Sequence, residues 1–304
     1  MLSGVRRAAG AAADNATAFG FVSGWRLVRL LPEPTARRFF DRIADELHRR
    51  DGRSVQRLRA NLSRVRPDIT GDALDALTRE AVRSYLRYWC ESFRLPSWPV
   101  DVLVRRTRTV GEHHLRDAYA AGQGVVVPLP HMGNWDWAGA WACATGMPLA
   151  TVAERLKPER LYDEFVAYRN TLGMEILPLT GGEPPMPRLE EWLRAGGLVC
   201  LLADRDLSRN GIDVQLCGHR ARMPQGPARL ARSTGAPLVP VTLHYDGPEM
   251  VVTFHPPVPH RDGDEGVGAM MQDVADAFTE AFRAHPQDWH MMQKVFVEDL
   301  EERR

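Results

Sequence analysis

A chain of 304 residues, 44% hydrophobic and 26% charged, with no low-complexity tract and no periodic repeat, is a folded chain and neither a disordered segment nor a solenoid. The formal charge is zero but unevenly placed: residues 1–116 hold 22 Arg against 13 acidic residues, a net of +9, and the remainder carries −9. A basic first third can face phosphates on nucleic acid or on an anionic membrane, but no base-reading or aromatic nucleic-acid motif accompanies the arginines, so nucleic acid is set aside as a partner.

Residues 1–31 carry Arg6 and Arg7 ahead of an apolar stretch, which imitates an export signal. Asp14, Arg26 and Arg29 interrupt it, and the longest uncharged run, Asn15 to Trp25, falls well short of the roughly 20 residues a membrane span needs. Phe19, Phe21, Trp25, Leu27 and Leu30, interleaved with Arg26 and Arg29, suit a helix lying among lipid headgroups. They equally suit a helix packed on the protein's own core with its arginines outward.

Pro32 and Pro34 close this segment, and helical periodicity follows at 35–50, 53–65 and 72–94. In the last, Leu74, Leu77, Ala81, Tyr85, Tyr88 and Trp89 form an apolar stripe. Residues 1–100 are therefore read as a helical N-terminal layer. After Leu95-Pro-Ser-Trp-Pro99 the pattern changes: strands are expected at 102–109, 124–129, 148–154, 174–178, 198–203 and 237–244, alternating with helices at 112–121, 135–145, 158–172, 185–195 and 225–234. The alternation predicts an α/β fold, a mostly parallel central sheet flanked by helices, with residues 1–304 as one domain and 101–304 as its core. Runs such as V-V-V-P-L-P and L-V-C-L-L-A are apolar throughout, as strands buried on both faces should be. In such sheets ligands gather at the carboxyl ends of strands, where His131 and Asp204 both fall.

His131 and Asp136 stand five apart in H-M-G-N-W-D. On a continuous helix the two would point about 140° apart, so the histidine must precede the helix. Pro130 and Gly133 favour a loop, Asn134 is a good N-cap, and Asp136 then falls in the first helical turn, where a carboxylate is favoured. A His131 folded back onto Asp136 would be fixed in one tautomer, its other nitrogen free to take a proton from a substrate hydroxyl. Spacing alone leaves three readings open: this pair, a structural histidine, and half of a metal site.

Other polar groups have blander readings. Cys90, Cys143, Cys200 and Cys217 lack C-x-x-C spacing and sit among apolar residues, as reduced core thiols of a cytoplasmic protein do. His113 and His114 are placed on the surface, and His285, Trp289 and His290 in core packing. The D-R-D at 204–206 also fits the D-x-D by which glycosyltransferases hold a metal and a nucleotide sugar, a weak pattern alone, while a calcium loop fails because Arg209 and Gln215 stand where glycine and glutamate are needed. No structural metal is expected.

H-M-G-N-W-D resembles the His-x4-Asp motif of the lysophospholipid and glycerolipid acyltransferase superfamily. Its H-x-G-N-W-[DE] form is that of the branch containing bacterial lipid A acyltransferases and phosphatidylinositol mannoside acyltransferases. Further matches follow in order: A-E-R-L-K-P-E at 153–159, Y-R-N-T-L-G at 168–173, L-A-D-R-D-L at 202–207, R-M-P-Q-G-P-A-R-L-A at 222–231 and A-H-P-Q-D-W-H-M-M-Q at 284–293. The resemblance is strongest to the mannoside enzymes. It implies acyl transfer from acyl-CoA to a mannose hydroxyl of a phosphatidylinositol mannoside by a peripheral protein at the cytoplasmic face of an anionic membrane, without metal or redox cofactor. It implies His131 as general base, Asp136 as its partner and Asp204 as a further catalytic carboxylate, with Gly133, Asn134, Arg155, Arg169, Arg205 and Asp206 binding substrate, where an arginine can fix phosphate. In the third block Asp204 stands where the mannoside branch usually has glutamate, a carboxylate implied to orient the acceptor, and Arg205 and Asp206 match. The alternatives are another glycolipid or lysophospholipid acceptor, a metal-dependent glycosyltransferase using Asp204 and Asp206, and a non-enzymatic lipid-binding protein.

Overall fold

The computed structural model describes residues 24–25, 27–155, 159–206 and 210–301. Among the described residues, α1 (Glu33–Arg50), α2 (Arg53–Val65) and α3 (Gly71–Arg94) follow a helical stretch at 24–25 and 27–30 and make up the N-terminal layer. Pro34 sits in the first turn of α1, where its missing amide is no loss, and the helix stops at Asp51, whose φ of 44° is left-handed. Phe40 of α1, Leu58 and Leu62 of α2, and Ala81 and Phe93 of α3 pack into one apolar cluster. Trp25 joins that cluster, its indole donating to the Phe93 carbonyl at 2.8 Å, while Leu27 and Leu30 stand 60% and 81% exposed. Trp25 follows the reading in which this segment packs on the protein's own core, but Arg29 turns inward instead of outward, its Nε donating to the Phe93 carbonyl at 2.7 Å; Phe19, Phe21 and Arg26 lie outside the described residues.

The chain then enters α4 (Val100–Arg105), β1 (Thr107–Val110) and α5 (Glu112–Ala120). The first half of the strand expected at 102–109 is helix and only Thr107 onward is strand: Pro99 precedes the first turn of the helix and Asp101 lies within it, a start that the apolar run Val100 to Val104 conceals. Next come β2 (Val125–Leu129), α6 (Trp135–Ala144), β3 (Leu149–Ala153), α7 (Glu159–Thr171), β4 (Met174–Pro178), α8 (Pro185–Arg194) and β5 (Leu198–Leu202). The four strands β2, β3, β4 and β5 make an all-parallel sheet in the order β2-β5-β3-β4. Along β5, Val199 and Leu201 face one apolar cluster while Leu198, Cys200 and Leu202 face the other, so the sheet is covered on both sides.

The remaining elements are the antiparallel hairpin β6 (Ile212–Leu216) and β7 (His219–Met223), α9 (Gly226–Thr234), β8 (Val241–Asp246), β9 (Glu249–Phe254), α10 (Gly263–Ala284) and α11 (Val297–Glu301). The hairpin, β9, α10 and α11 lie outside the elements expected from the sequence. The strand expected at 237–244 is divided: Leu238 bridges to Val126 beside the parallel sheet, and β8 proper pairs antiparallel with β9, which pairs parallel with β1. Pro237 and Pro240 break the run, and Pro240 has no amide to carry a ladder through.

Candidate active site

Strands β2 and β5 are neighbours in register, Leu129 opposite Leu202. Two residues beyond each lie His131 and Asp204, so the sheet itself delivers them to one place. His131 Nδ1 lies 2.7 Å from Asp204 Oδ1, and the His131 amide donates to Asp204 Oδ2 at 3.0 Å. Ionised carboxylate only accepts, so Nδ1 carries the proton and Nε2 is left with a lone pair; no described residue engages Nε2. Asp204 is fully buried, whereas the histidine side chain remains 26% exposed. Burial raises the Asp204 carboxyl, but the attraction of a protonated His131 and the hydrogen bonds from His131 and Trp289 outweigh it and hold the group below its usual range.

The expected His131–Asp136 pair is therefore corrected: the histidine's partner is Asp204. Asp136 does fall in the first turn of α6, and Asn134 does cap that helix, its Oδ1 accepting from the Trp137 amide at 3.0 Å. The helix turns Asp136 toward α7 and α3 instead of back to the loop. Arg169 Nε donates to Asp136 Oδ1 at 2.7 Å and its Nη2 to Oδ2 at 3.3 Å, and the Tyr88 hydroxyl donates to Oδ2 at 3.0 Å. Burial alone would lower the Arg169 guanidinium, yet Asp136 more than reverses that and raises it. The arginine expected at a phosphate is committed to this carboxylate.

Gly133 adopts φ +56°, and a Cβ there would sit 3.0 Å from Leu243 Cβ, so the tight turn between His131 and the helix needs glycine. Arg205, just past β5, reaches Glu154, just past β3, at 3.5 Å, which puts both on the edge that carries His131. Arg155 turns away to the Gly181 carbonyl and Glu159. Asp206 accepts from the Gly211 amide at 3.0 Å. Asp204 and Asp206 are thus turned to separate partners, and the paired carboxylates of the D-x-D reading do not form.

Packing of the closing block was expected, but its reach into the site was not. The Trp289 indole donates to Asp204 Oδ2 at 2.9 Å, and the His290 amide donates to the His131 carbonyl at 2.8 Å. His290 Nε2 meets Ser84 Oγ at 3.0 Å, and Ser84 donates to Asp288 at 2.6 Å. Burial, then the nearby His131, pushes the His290 imidazole down to about 3, so it is neutral. The signal was the cluster of aromatic, acidic and histidine residues at 288–290, which alternation of strands and helices cannot interpret.

Between the parallel sheet and α6 lies an apolar cavity whose nearest wall along β2 and β5 is two residues before the pair. One face of the sheet lines it in three rungs: Leu129 and Leu202 nearest the pair, then Val127, Thr151 and Cys200, then Leu149, Leu198 and Met174. Trp135, Asp136 and Arg169 line its upper end, and Trp141 and Phe254 its lower one.

A fully buried carboxylate thus orients a partly exposed histidine near an apolar cavity, and sequence comparison gives the family to which this site belongs. The family of bacterial lipid A biosynthesis acyltransferases matches residues 11–298. The chain belongs to that family. It is 44% identical over 289 residues to the phosphatidylinositol mannoside acyltransferase of Mycolicibacterium smegmatis, covering 95% of this chain and 94% of the relative. It is likewise 44% identical over 292 residues to the protein of the same description from Mycobacterium tuberculosis, covering 95% and 91%. As a member of an acyltransferase family it carries no helix, among the described residues, long and apolar enough to cross a membrane.

Proposed function

We propose that this acyltransferase moves a long-chain acyl group from acyl-CoA to a mannose hydroxyl of a phosphatidylinositol mannoside, with His131 as general base. The observation that carries the reading is the His131–Asp204 contact, two residues beyond the Leu129–Leu202 rung that lines the apolar cavity. The carboxylate fixes the tautomer, and Nε2 takes the proton of the attacking hydroxyl as its oxygen bonds to the thioester carbonyl carbon. Asp204 then stabilises the imidazolium, as a buried aspartate does in a hydrolase triad, except that the nucleophile belongs to the acceptor. The positive end of α6, which begins four residues after His131, favours the tetrahedral oxyanion. The oxyanion collapses, the carbon–sulfur bond breaks, and coenzyme A leaves as its thiolate.

The acyl tail lies in the cavity, whose apolar rungs exclude water from the thioester. Arg205, on the same edge as His131, supplies positive charge toward the phosphates of donor or acceptor. Asp136 and Arg169 act as a buried brace for the first turn of α6. No metal and no redox cofactor takes part. The acceptor is drawn from the descriptions of the two relatives, and the protein works peripherally at the cytoplasmic membrane face, where exposed Leu27 and Leu30 beside a basic helical layer suit anionic lipid.

The test is thiol release from palmitoyl-CoA with and without phosphatidylinositol mannoside, for wild type and His131→Ala, with the acylated lipid identified by mass spectrometry. Acceptor-dependent release that falls by more than about 10²-fold in the variant is expected. Full activity in His131→Ala would end the mechanism, and release indifferent to the mannoside would end the choice of acceptor.

A further inference from the structure

The deep end of the cavity holds a contact that the chemistry at its mouth does not call for. Gly139 lies in the middle of α6, where glycine is the poorest residue for a helix other than proline, at about 1 kcal/mol below alanine. Its backbone is ordinary helix, so no unusual φ asks for glycine. What asks for it is Met174: a Cβ built at residue 139 would lie 2.7 Å from the Met174 methyl carbon and 3.1 Å from its sulfur, with a Leu149 methyl at 3.4 Å. The thioether lies flat against the helix because nothing projects from it there.

That contact sits at a defined depth. Met174 is opposite Leu149, and Leu149 opposite Leu198, so all three belong to the lowest rung. From that rung to the rung of Leu129 and Leu202 is four residues of strand, about 13 Å, and His131 stands two residues higher, for roughly 20 Å in all. This is the order of length of an extended long-chain acyl group. Trp141, two residues beyond Gly139 on α6, and Phe254, with ring centroids 5.8 Å apart, also line the cavity as bulky aromatic walls. Met174 is the adaptable member of the floor, unbranched and with three rotatable bonds, and the residue at 139 decides where its end can rest.

We propose that Gly139 and Met174 together set the length of acyl chain that the site accepts, an inference that rests on the acyl-transfer reading only for its consequence in catalysis. A side chain at 139 forces the Met174 terminus off the helix and up into the channel, which shortens it. Truncation of Met174 deepens it. Because each methylene kept in water forfeits about fourfold in binding, the chain-length profile should break sharply at the floor and the break should move with these two residues.

The experiment measures binding and turnover separately with a series of saturated acyl-CoAs of stepped length. Binding is read without acceptor, as the shift in thermal unfolding temperature and by competition with a fluorescent fatty acid; turnover is kcat/KM for thiol release. Gly139→Ala, which favours the helix, is expected to move both breaks to shorter chains, with about fourfold or greater loss for the longest chain that wild type accepts. Met174→Ala is expected to move them to longer chains. Profiles that coincide with wild type in both variants overturn the proposal, whatever the turnover. Breaks that move in binding while no variant or wild type releases thiol uphold the ruler and overturn acyl transfer.

Discussion

The Trp289 indole and the His131 amide donate to the same oxygen of Asp204, at 2.9 and 3.0 Å, while the other oxygen faces His131 Nδ1 at 2.7 Å. Each donor therefore stabilises the ionised carboxylate and leaves it one orientation, the one that presents Oδ1 to the imidazole.

Removing the indole donor while keeping an aromatic ring tests this directly. Trp289 also stacks on Phe282 with centroids 4.3 Å apart, a contact that phenylalanine can retain. A hydrogen bond to a charged group is worth about 1.5–3 kcal/mol, so Trp289→Phe is expected to lower kcat roughly tenfold or more with little change in KM. The Asp204 carboxyl rises when it loses a donor, so the acid limb of the kcat–pH profile should move to higher pH. An unchanged limb would place Trp289 in packing alone.

Asp204→Asn keeps the shape but removes the charge that holds the Nδ1 proton and stabilises the imidazolium. A fall in kcat of about 10²–10⁴ is expected, by analogy with the aspartate of hydrolase triads. Asp204→Glu adds one methylene to a fully buried site and should keep more activity than asparagine while losing about 1–3 kcal/mol of stability to overpacking. If asparagine outperforms glutamate in thiol release, charge is not what the position supplies.

The Asp136–Arg169 pair predicts a stability signature. Both side chains are largely buried, at 3% and 18% exposure, so Asp136→Ala strands a guanidinium and should cost about 3–5 kcal/mol in urea denaturation. The double variant Asp136→Leu/Arg169→Met is expected to be more stable than the single one, because no charge is left alone. Equal destabilisation of the two would mean that the pair is not coupled.

Buried neutral His290 makes stability depend on pH. Its folded value, about 3, lies below the ordinary 6.5, so the unfolded chain binds the proton that the folded one refuses. Its contribution is whole above pH 6.5 and lost as the pH falls toward 3, at about 1.4 kcal/mol per unit. Asp288, pushed up to about 6 by burial, acts in the opposite sense, its contribution lost as the pH rises toward 6, which is why the comparison is best made between proteins. Melts of wild type and His290→Gln, whose amide can still meet Ser84, should converge as the buffer is taken from pH 7 to 4. Parallel curves would assign His290 no part in the acid response.

The four parallel strands and their helices were legible because buried apolar runs and helical stripes are local, and Val125–Leu129 and Leu198–Leu202 fall within a residue of their expected bounds. The partner of His131 was not legible by the same logic. Five residues of sequence make Asp136 a natural candidate, whereas Asp204 becomes the neighbour only when β5 is known to lie beside β2. That adjacency is a property of strand order, which periodicity does not encode. Trp289 was farther still from reach, since it arrives from a segment after α10, a helix that no expected element anticipated.

His131 is held from behind as well as in front: its carbonyl takes the His290 amide, the Gly133 amide reaches the Asp288 carbonyl, and Asn61 of α2 secures the carbonyls of Met291 and Gln293. A polypeptide emerging from the ribosome has its histidine, both aspartates and the whole parallel sheet in hand long before residues 288–293 leave the exit tunnel. Until they do, the loop that carries His131 has Asp204 to hold it but lacks these rear ties. The full frame around His131 is therefore completed late, only when the closing block folds back onto a loop made more than 150 residues earlier.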